Sequence, residues 1–131
     1  MNFTRDQISA VTVHQVEPGA IKVGDETISE NVVLFRDIIQ RGIALGKVEA
    51  LREQDLDELL SEQPEIVIFG TGWKSQRPPR DLVFAMARRG IGFETMDTPA
   101  ACRTFNILVS EGRDVAAILI IRPPENCKND S

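Results

Sequence analysis

The chain has 131 residues, a formal net charge of -5 and a pI near 4.9. One domain of that length buries an independent core, and the acidic balance argues against a nucleic-acid binder, which needs a basic surface. No run approaches the roughly 18 apolar residues of a membrane helix, and Met1-Asn2-Phe3-Thr4-Arg5-Asp6 is no apolar signal segment. The expectation is a soluble, cytoplasmic protein with no direct membrane insertion.

The first third reads as β-rich. Val11-Thr12-Val13-His14-Gln15-Val16 is a strand, punctuated by Glu17-Pro18-Gly19. Ala20-Ile21-Lys22-Val23 follows, Gly24-Asp25 turns it, Glu26-Thr27-Ile28 returns, and Val32-Val33-Leu34-Phe35 is apolar again. Residues 36–52 mix short apolar groups with glycine and fit neither period. Around Asp55–Leu60, Leu56, Leu59 and Leu60 share a helical face.

Pro64 stops that helix, and Ile66-Val67-Ile68-Phe69 is an apolar run without alternation, a strand buried on both faces. Gly70-Thr71-Gly72-Trp73 follows at once. Glycine permits unusual backbone angles and close approach, and open α/β sheets form sites at the carboxyl ends of such strands. After Pro78-Pro79, the helix Arg80–Arg89 is expected to turn Leu82, Val83 and Met86 inward, with Gly90 as its cap. Ile91–Met96 is a strand. Thr98-Pro99 opens a helix over 99–110, with Thr98 as N-cap and Pro99 at the first helical position. Ala101, Phe105, Leu108 and Val109 form its buried face, and Gly112 ends it. Val115–Ile121 is a second fully apolar strand.

From residue 53 onward helix and strand alternate, which predicts a layered α/β core with partly parallel pairing. The N-terminal hairpins add strands to it. The expected domain runs over 11–122, after an N-terminal extension at 1–10 and before a polar, disordered tail at 123–131.

The catalytic menu is short. Cys102 and Cys127 are neither spaced for zinc nor numerous enough for a disulfide framework. His14 is the only histidine and tyrosine is absent. No metal or cofactor is expected. Gly70-Thr71-Gly72-Trp73-Lys74-Ser75 fails as a Walker loop because Trp73 precedes the lysine, and as a dinucleotide fingerprint because Ser75 replaces the third glycine. Asp97 and Thr98 read as helix-start residues, whose free amides could instead hold an anion. Cys102 is a small buried thiol, or else a nucleophile activated by the helix start and Arg103. Arg103, Asn106 and Ile107 fall opposite Ala101 and Phe105. Glu111 and Arg113 suggest an ion pair across the Gly112 turn. Lys74 and Arg77 could reach an anion near the glycine turn. Trp73 is either a core anchor or a contact surface.

Gly70-Thr71-Gly72, Met96-Asp97-Thr98, Ala101-Cys102-Arg103-Thr104-Phe105-Asn106-Ile107-Leu108, Glu111-Gly112-Arg113 and Val115–Leu119 together resemble the small Mth-type, or Mth938-like, domain family of unknown function. That family includes an assembly factor of mitochondrial complex I and an adipogenesis-associated protein. The resemblance implies an α/β, three-layer Mth938-like domain with a central mixed sheet and N-terminal β-hairpin additions. It implies no established catalytic activity. It also implies a pocket between the Gly-Thr-Gly turn and the Asp-Thr helix start, carried here by Gly70, Thr71, Gly72, Asp97, Thr98, Arg103, Thr104 and Asn106. Trp73 stands where other members often carry a smaller or polar residue.

The expected function is a binding or assembly module, linked by resemblance to respiratory-complex or membrane-protein assembly. Its ligand would be a protein partner or a small anion, and exposed strand edges could support a homodimer. The alternative is a small enzyme on an anionic substrate. There Cys102 or Asp97 would do the chemistry, with Arg103 and the glycine-turn amides stabilising negative charge.

Overall fold

Val32, Val33, Leu34 and Phe35 are all buried, as are Val67, Ile68 and Phe69 and every residue from Val115 to Leu119. Strands with no polar face must be covered on both sides. These segments form the interior of the central sheet in the computed structural model, which describes residues 12–43, 45 and 47–121.

The strands are β1 (Val13–Glu17), β2 (Ala20–Val23), β3 (Glu26–Ile28), β4 (Val32–Phe35), β5 (Ile38–Arg41), β6 (Ile66–Gly70), β7 (Gly92–Met96) and β8 (Val115–Leu119). The helices are α1 (Asp57–Leu60), α2 (Arg80–Arg88) and α3 (Thr98–Ser110), with 3-10 turns at Val48–Ala50 and Glu53–Leu56. The central sheet has the order β5-β4-β8-β6-β7. β8, β6 and β7 run parallel to one another, and the β4–β5 hairpin joins β8 antiparallel.

Alternate residues of each inner strand divide between two cores. Leu34, Ile68, Ala117 and Leu119 face Ala101, Cys102 and Phe105 of α3. Val33, Phe35, Val67, Phe69, Ala116 and Ile118 face Leu82 and Met86 of α2 and Leu51, Leu56 and Leu60 of the preceding turns. The fold is thus a three-layer α/β domain with a mixed central sheet.

Of the strands read in the first third, β4 joins the central sheet and the first three do not. β1, β2 and β3 form a separate three-stranded antiparallel sheet. Val13, Ile21, Val23 and Ile28 give it a single apolar face, which lies in the same core as α3. A half-apolar sheet covers another layer, whereas a strand apolar on both faces belongs inside one. β4 alone among the first four strands meets the second condition.

Other expectations shift locally. α2 buries Leu82, Ala85 and Met86, while Val83 is 40% exposed. Leu108 and Val109 pack against the core only partly. Arg113 pairs with Glu65 at 2.8 Å rather than with Glu111. That bond holds the Glu65 carboxyl below the usual glutamate range and ties the turn after α3 to the start of β6. In the ambiguous stretch after residue 35, β5 makes a two-residue hairpin with β4. Val11, the extension at 1–10, Ala44, Gly46 and the tail at 123–131 with Cys127 lie outside the described residues. Among the described residues, no helix is long and apolar enough to cross a membrane.

Candidate functional site

β6 is a topological switch point. α2 carries the chain from β6 to β7 across one face of the sheet, and α3 returns it across the other face to β8, on the far side of β6. The connections leaving β6 and β7 therefore depart to opposite faces. In open α/β sheets that divergence opens a crevice beyond the strand ends, the usual ligand site.

Here the crevice is stitched across. The Thr71 N–H donates to Met96 O at 2.9 Å, continuing the β6–β7 pairing past its last residues. The Gly72 N–H donates to Thr98 Oγ1 at 2.8 Å, and the Thr98 N–H donates back to Gly72 O at 2.7 Å. The Thr98 hydroxyl then donates to Ile120 O at 2.8 Å, and the Ile120 N–H donates to Gly70 O at 3.0 Å. One hydroxyl thus joins the ends of β6, β7 and β8. Thr71 and Thr98 are the buried polar side chains of the described residues, 1% and 0% exposed. Among those residues, no buried side-chain nitrogen or oxygen lacks a hydrogen-bond partner.

The two glycines have separate reasons. A Cβ at Gly70 would meet Thr98 Oγ1 at 3.0 Å and Ala101 Cβ and Leu119 Cδ2 at 3.1 Å, so α3 can approach β6 only over a glycine. Gly72 has φ +97, a conformation that side chains oppose. Beyond it the Thr71 hydroxyl donates to Lys74 O at 2.8 Å and accepts from the Gln76 N–H at 3.2 Å, which shapes the loop leading to α2.

The start of α3 differs from expectation. Asp97, not Thr98, is the N-cap, its carboxylate accepting from the Ala100 N–H at 2.8 Å. Thr98 occupies the first helical position, and Pro99 the second. The Ala101 N–H donates to Asp97 O at 2.9 Å. With Thr98, Ala100 and Ala101 satisfied and Pro99 lacking a donor, the expected free amides for an anion are absent from this helix start.

The nucleophilic reading of Cys102 also fails. The side chain is 2% exposed and packs in the α3 core. Burial pushes its thiol up to about 12, against the opposing charge of Arg103. A thiol so placed is an apolar filler.

Of the remaining expected site residues, Asn106 is a clamp. Its Oδ1 accepts from the Val13 N–H at 2.9 Å and its Nδ2 donates to Val13 O at 2.8 Å, holding β1 against α3. It faces the small sheet rather than the solvent side shared by Arg103 and Ile107. Thr104 Oγ1 lies 3.5 Å from Met96 Sδ. Trp73 is half-buried and Arg103 exposed. The structure thus gathers Gly70, Thr71, Gly72, Asp97 and Thr98, and leaves Trp73, Arg103, Thr104 and Asn106 around them.

One feature escapes the sequence reading. Phe84 is 53% exposed on α2 and lines a concavity of about 450 Å³ between α2 and the turns at residues 49–54. The signal is there in retrospect: Leu82, Ala85 and Met86 set the buried phase, and Phe84 falls out of it.

A family model described as "Protein of unknown function (DUF498/DUF598)" matches residues 13–120. The chain is 36% identical over 112 residues to NADH dehydrogenase (ubiquinone) 1 alpha subcomplex assembly factor 3 of Xenopus tropicalis, covering 86% of this chain and 60% of that protein. It spans about three fifths of the length of the first curated relatives it matches. An NMR structure from Xanthomonas campestris superposes with TM-score 0.77 at 31% identity, covering 84% of this chain and 83% of that one. A Bordetella pertussis Mth938-like domain superposes with TM-score 0.71 at 23% identity over 91% of this chain and 92% of that one, a likeness of fold alone. The family model covers most of the chain and the layering agrees, so the chain belongs to the DUF498/DUF598 family of proteins of unknown function and has the Mth938-like fold.

Proposed function

We propose that this chain is a protein-binding module that assists the assembly of a respiratory or other membrane-protein complex, with recognition made by its surface. The observation that carries this reading is the reciprocal hydrogen bonding of Gly72 and Thr98. The place where an α/β sheet ordinarily binds a small molecule has its polar groups committed to one another, so the chemistry left to the fold is that of exposed side chains. Kinship to a protein named as a complex assembly factor supports the same direction. Of the expected site residues, Trp73 and Arg103 offer surface to a partner. Gly70, Thr71, Gly72, Asp97 and Thr98 close the junction of β6, β7 and β8 and on this reading serve the fold.

The test is native co-purification of the full-length chain from its cell of origin, followed by sizing of the purified complex. The expected result is a defined complex with one or a few specific proteins. A chain that runs alone at every salt concentration, and that depletes a metabolite from cell extract, would overturn the proposal.

A further inference from the structure

Between Trp73 and Arg89 the sequence carries Lys74, Arg77, Arg80, Arg88 and Arg89 against a single acid, Asp81, in a molecule of formal net charge -5. Elsewhere the arginines are largely neutralised. Arg36, Arg41, Arg52 and Arg113 each lie against a carboxylate, and within the segment Arg89 pairs with Glu53. Lys74, Arg77, Arg80 and Arg88 have no carboxylate within ion-pair distance among the described residues. Four of the segment's five basic side chains are thus clustered and without an ion-pair partner among the described residues.

Helix geometry gives the cluster a shape. Arg80, Phe84 and Arg88 follow one another at intervals of four, which sets them in one stripe along α2. Phe84 is 53% exposed and Val83 beside it 40%. Phe84 and Arg88 also line the concavity of about 450 Å³, together with Leu51, Arg52, Pro79 and Leu82. An exposed ring beside a groove, with an unpaired guanidinium one turn to either side, matches an apolar anchor flanked by carboxylates.

We infer that this outer face of α2 is a docking surface for an acidic segment of a protein partner, whose apolar residue packs against Phe84 while its carboxylates meet Arg80 and Arg88. The inference rests on the protein-binding reading above and names the surface and the partner's chemistry. An anionic bilayer is the competing occupant of a basic stripe. It meets a whole face at once and would press on Glu49 and Asp81 in the same groove, whereas a peptide can leave those acids uncovered. Glu53, the third acid there, is already paired with Arg89 at 2.7 Å.

The test places the photo-crosslinker p-benzoylphenylalanine at Val83, and in a second variant at Ile107 on the exposed side of α3, in the full-length chain within its native cell. The expected result is capture of one protein from position 83, at an acid-rich peptide. A synthetic copy of that peptide should bind the purified chain, and weaken about tenfold or more with Arg80→Glu/Arg88→Glu or with Phe84→Ser at unchanged melting temperature. Capture of lipid at position 83, capture at a peptide without acids, or equal binding by the double variant would overturn the inference. Capture from position 107 alone would overturn this surface and leave the binding-module reading standing. Capture of no protein from either position would sink both.

Discussion

Thr98 Oγ1 accepts from the Gly72 N–H and donates to Ile120 O, each at 2.8 Å, in a side chain 0% exposed. Valine matches threonine in shape but can do neither. Thr98→Val should destabilise the fold by about 2–4 kcal/mol, because a buried donor and a buried acceptor lose their partner together. Thr98→Ser keeps both bonds and should cost no more than about 1 kcal/mol, the worth of a methyl. Chemical denaturation of the two variants measures the difference, and equal losses would refute the role given to the hydroxyl. Cys102 gives a pH dependence. Its thiol rises from 9.0 to about 12 on folding. The folded state therefore favours the neutral thiol, and this contribution is complete below pH 9 and is lost as pH climbs towards 12. Stability of the wild type should fall more steeply across that alkaline range than that of Cys102→Ala. Parallel curves would contradict the burial argument.

The helix α3 holds two layers together through different ends of its length. Its start engages β6 and β8 through Thr98, and Asn106 grips β1 by both backbone groups of Val13. Asn106→Leu should accelerate hydrogen exchange at Val13 strongly while β6 and β8 stay protected, and unchanged exchange at Val13 would show that the clamp is idle. Which elements the sequence reveals follows from how local their causes are. β6 and β8 are apolar on both faces, and such runs announce an inner strand. The start of α3 is legible too, but the cap lies one residue earlier than the Thr-Pro pair suggests. Thr98 is drawn into the sheet junction, and Asp97 takes the capping role. β5 is not legible because its hairpin lacks a turn glycine. Arg36 stands there at φ 58, its guanidinium on Asp114 at 3.0 Å and over the Phe35 ring at 4.2 Å. Partners 78 residues apart leave no trace in local pattern. The same holds for the Glu65–Arg113 pair, which displaces the nearer Glu111.

At the scale of the whole molecule, the expected site separates into two parts. The Gly70-Thr71-Gly72 turn and the Asp97-Thr98 helix start meet at the carboxyl ends of the parallel strands. Their amides and hydroxyls are spent on one another, an outcome set by contacts between residues 26 and 22 positions apart. The outer face of α2 contains groups that motif reading passes over, because an out-of-phase phenylalanine and unpaired arginines become visible only once burial and ion pairs are known. Aromatic and arginine side chains are the ones most often found at the centre of protein interfaces.

On the proposed reading the switch-point junction serves the fold and the outer face of α2 serves recognition. The most direct measurement is the amount of partner recovered per folded molecule from cells carrying Thr98→Val, at a temperature where that variant remains folded, beside Arg80→Glu/Arg88→Glu. Full recovery is expected with Thr98→Val, and loss of the partner with the double variant. Loss with folded Thr98→Val and full recovery with the double variant would contradict that reading, and would return the site to the glycine turn.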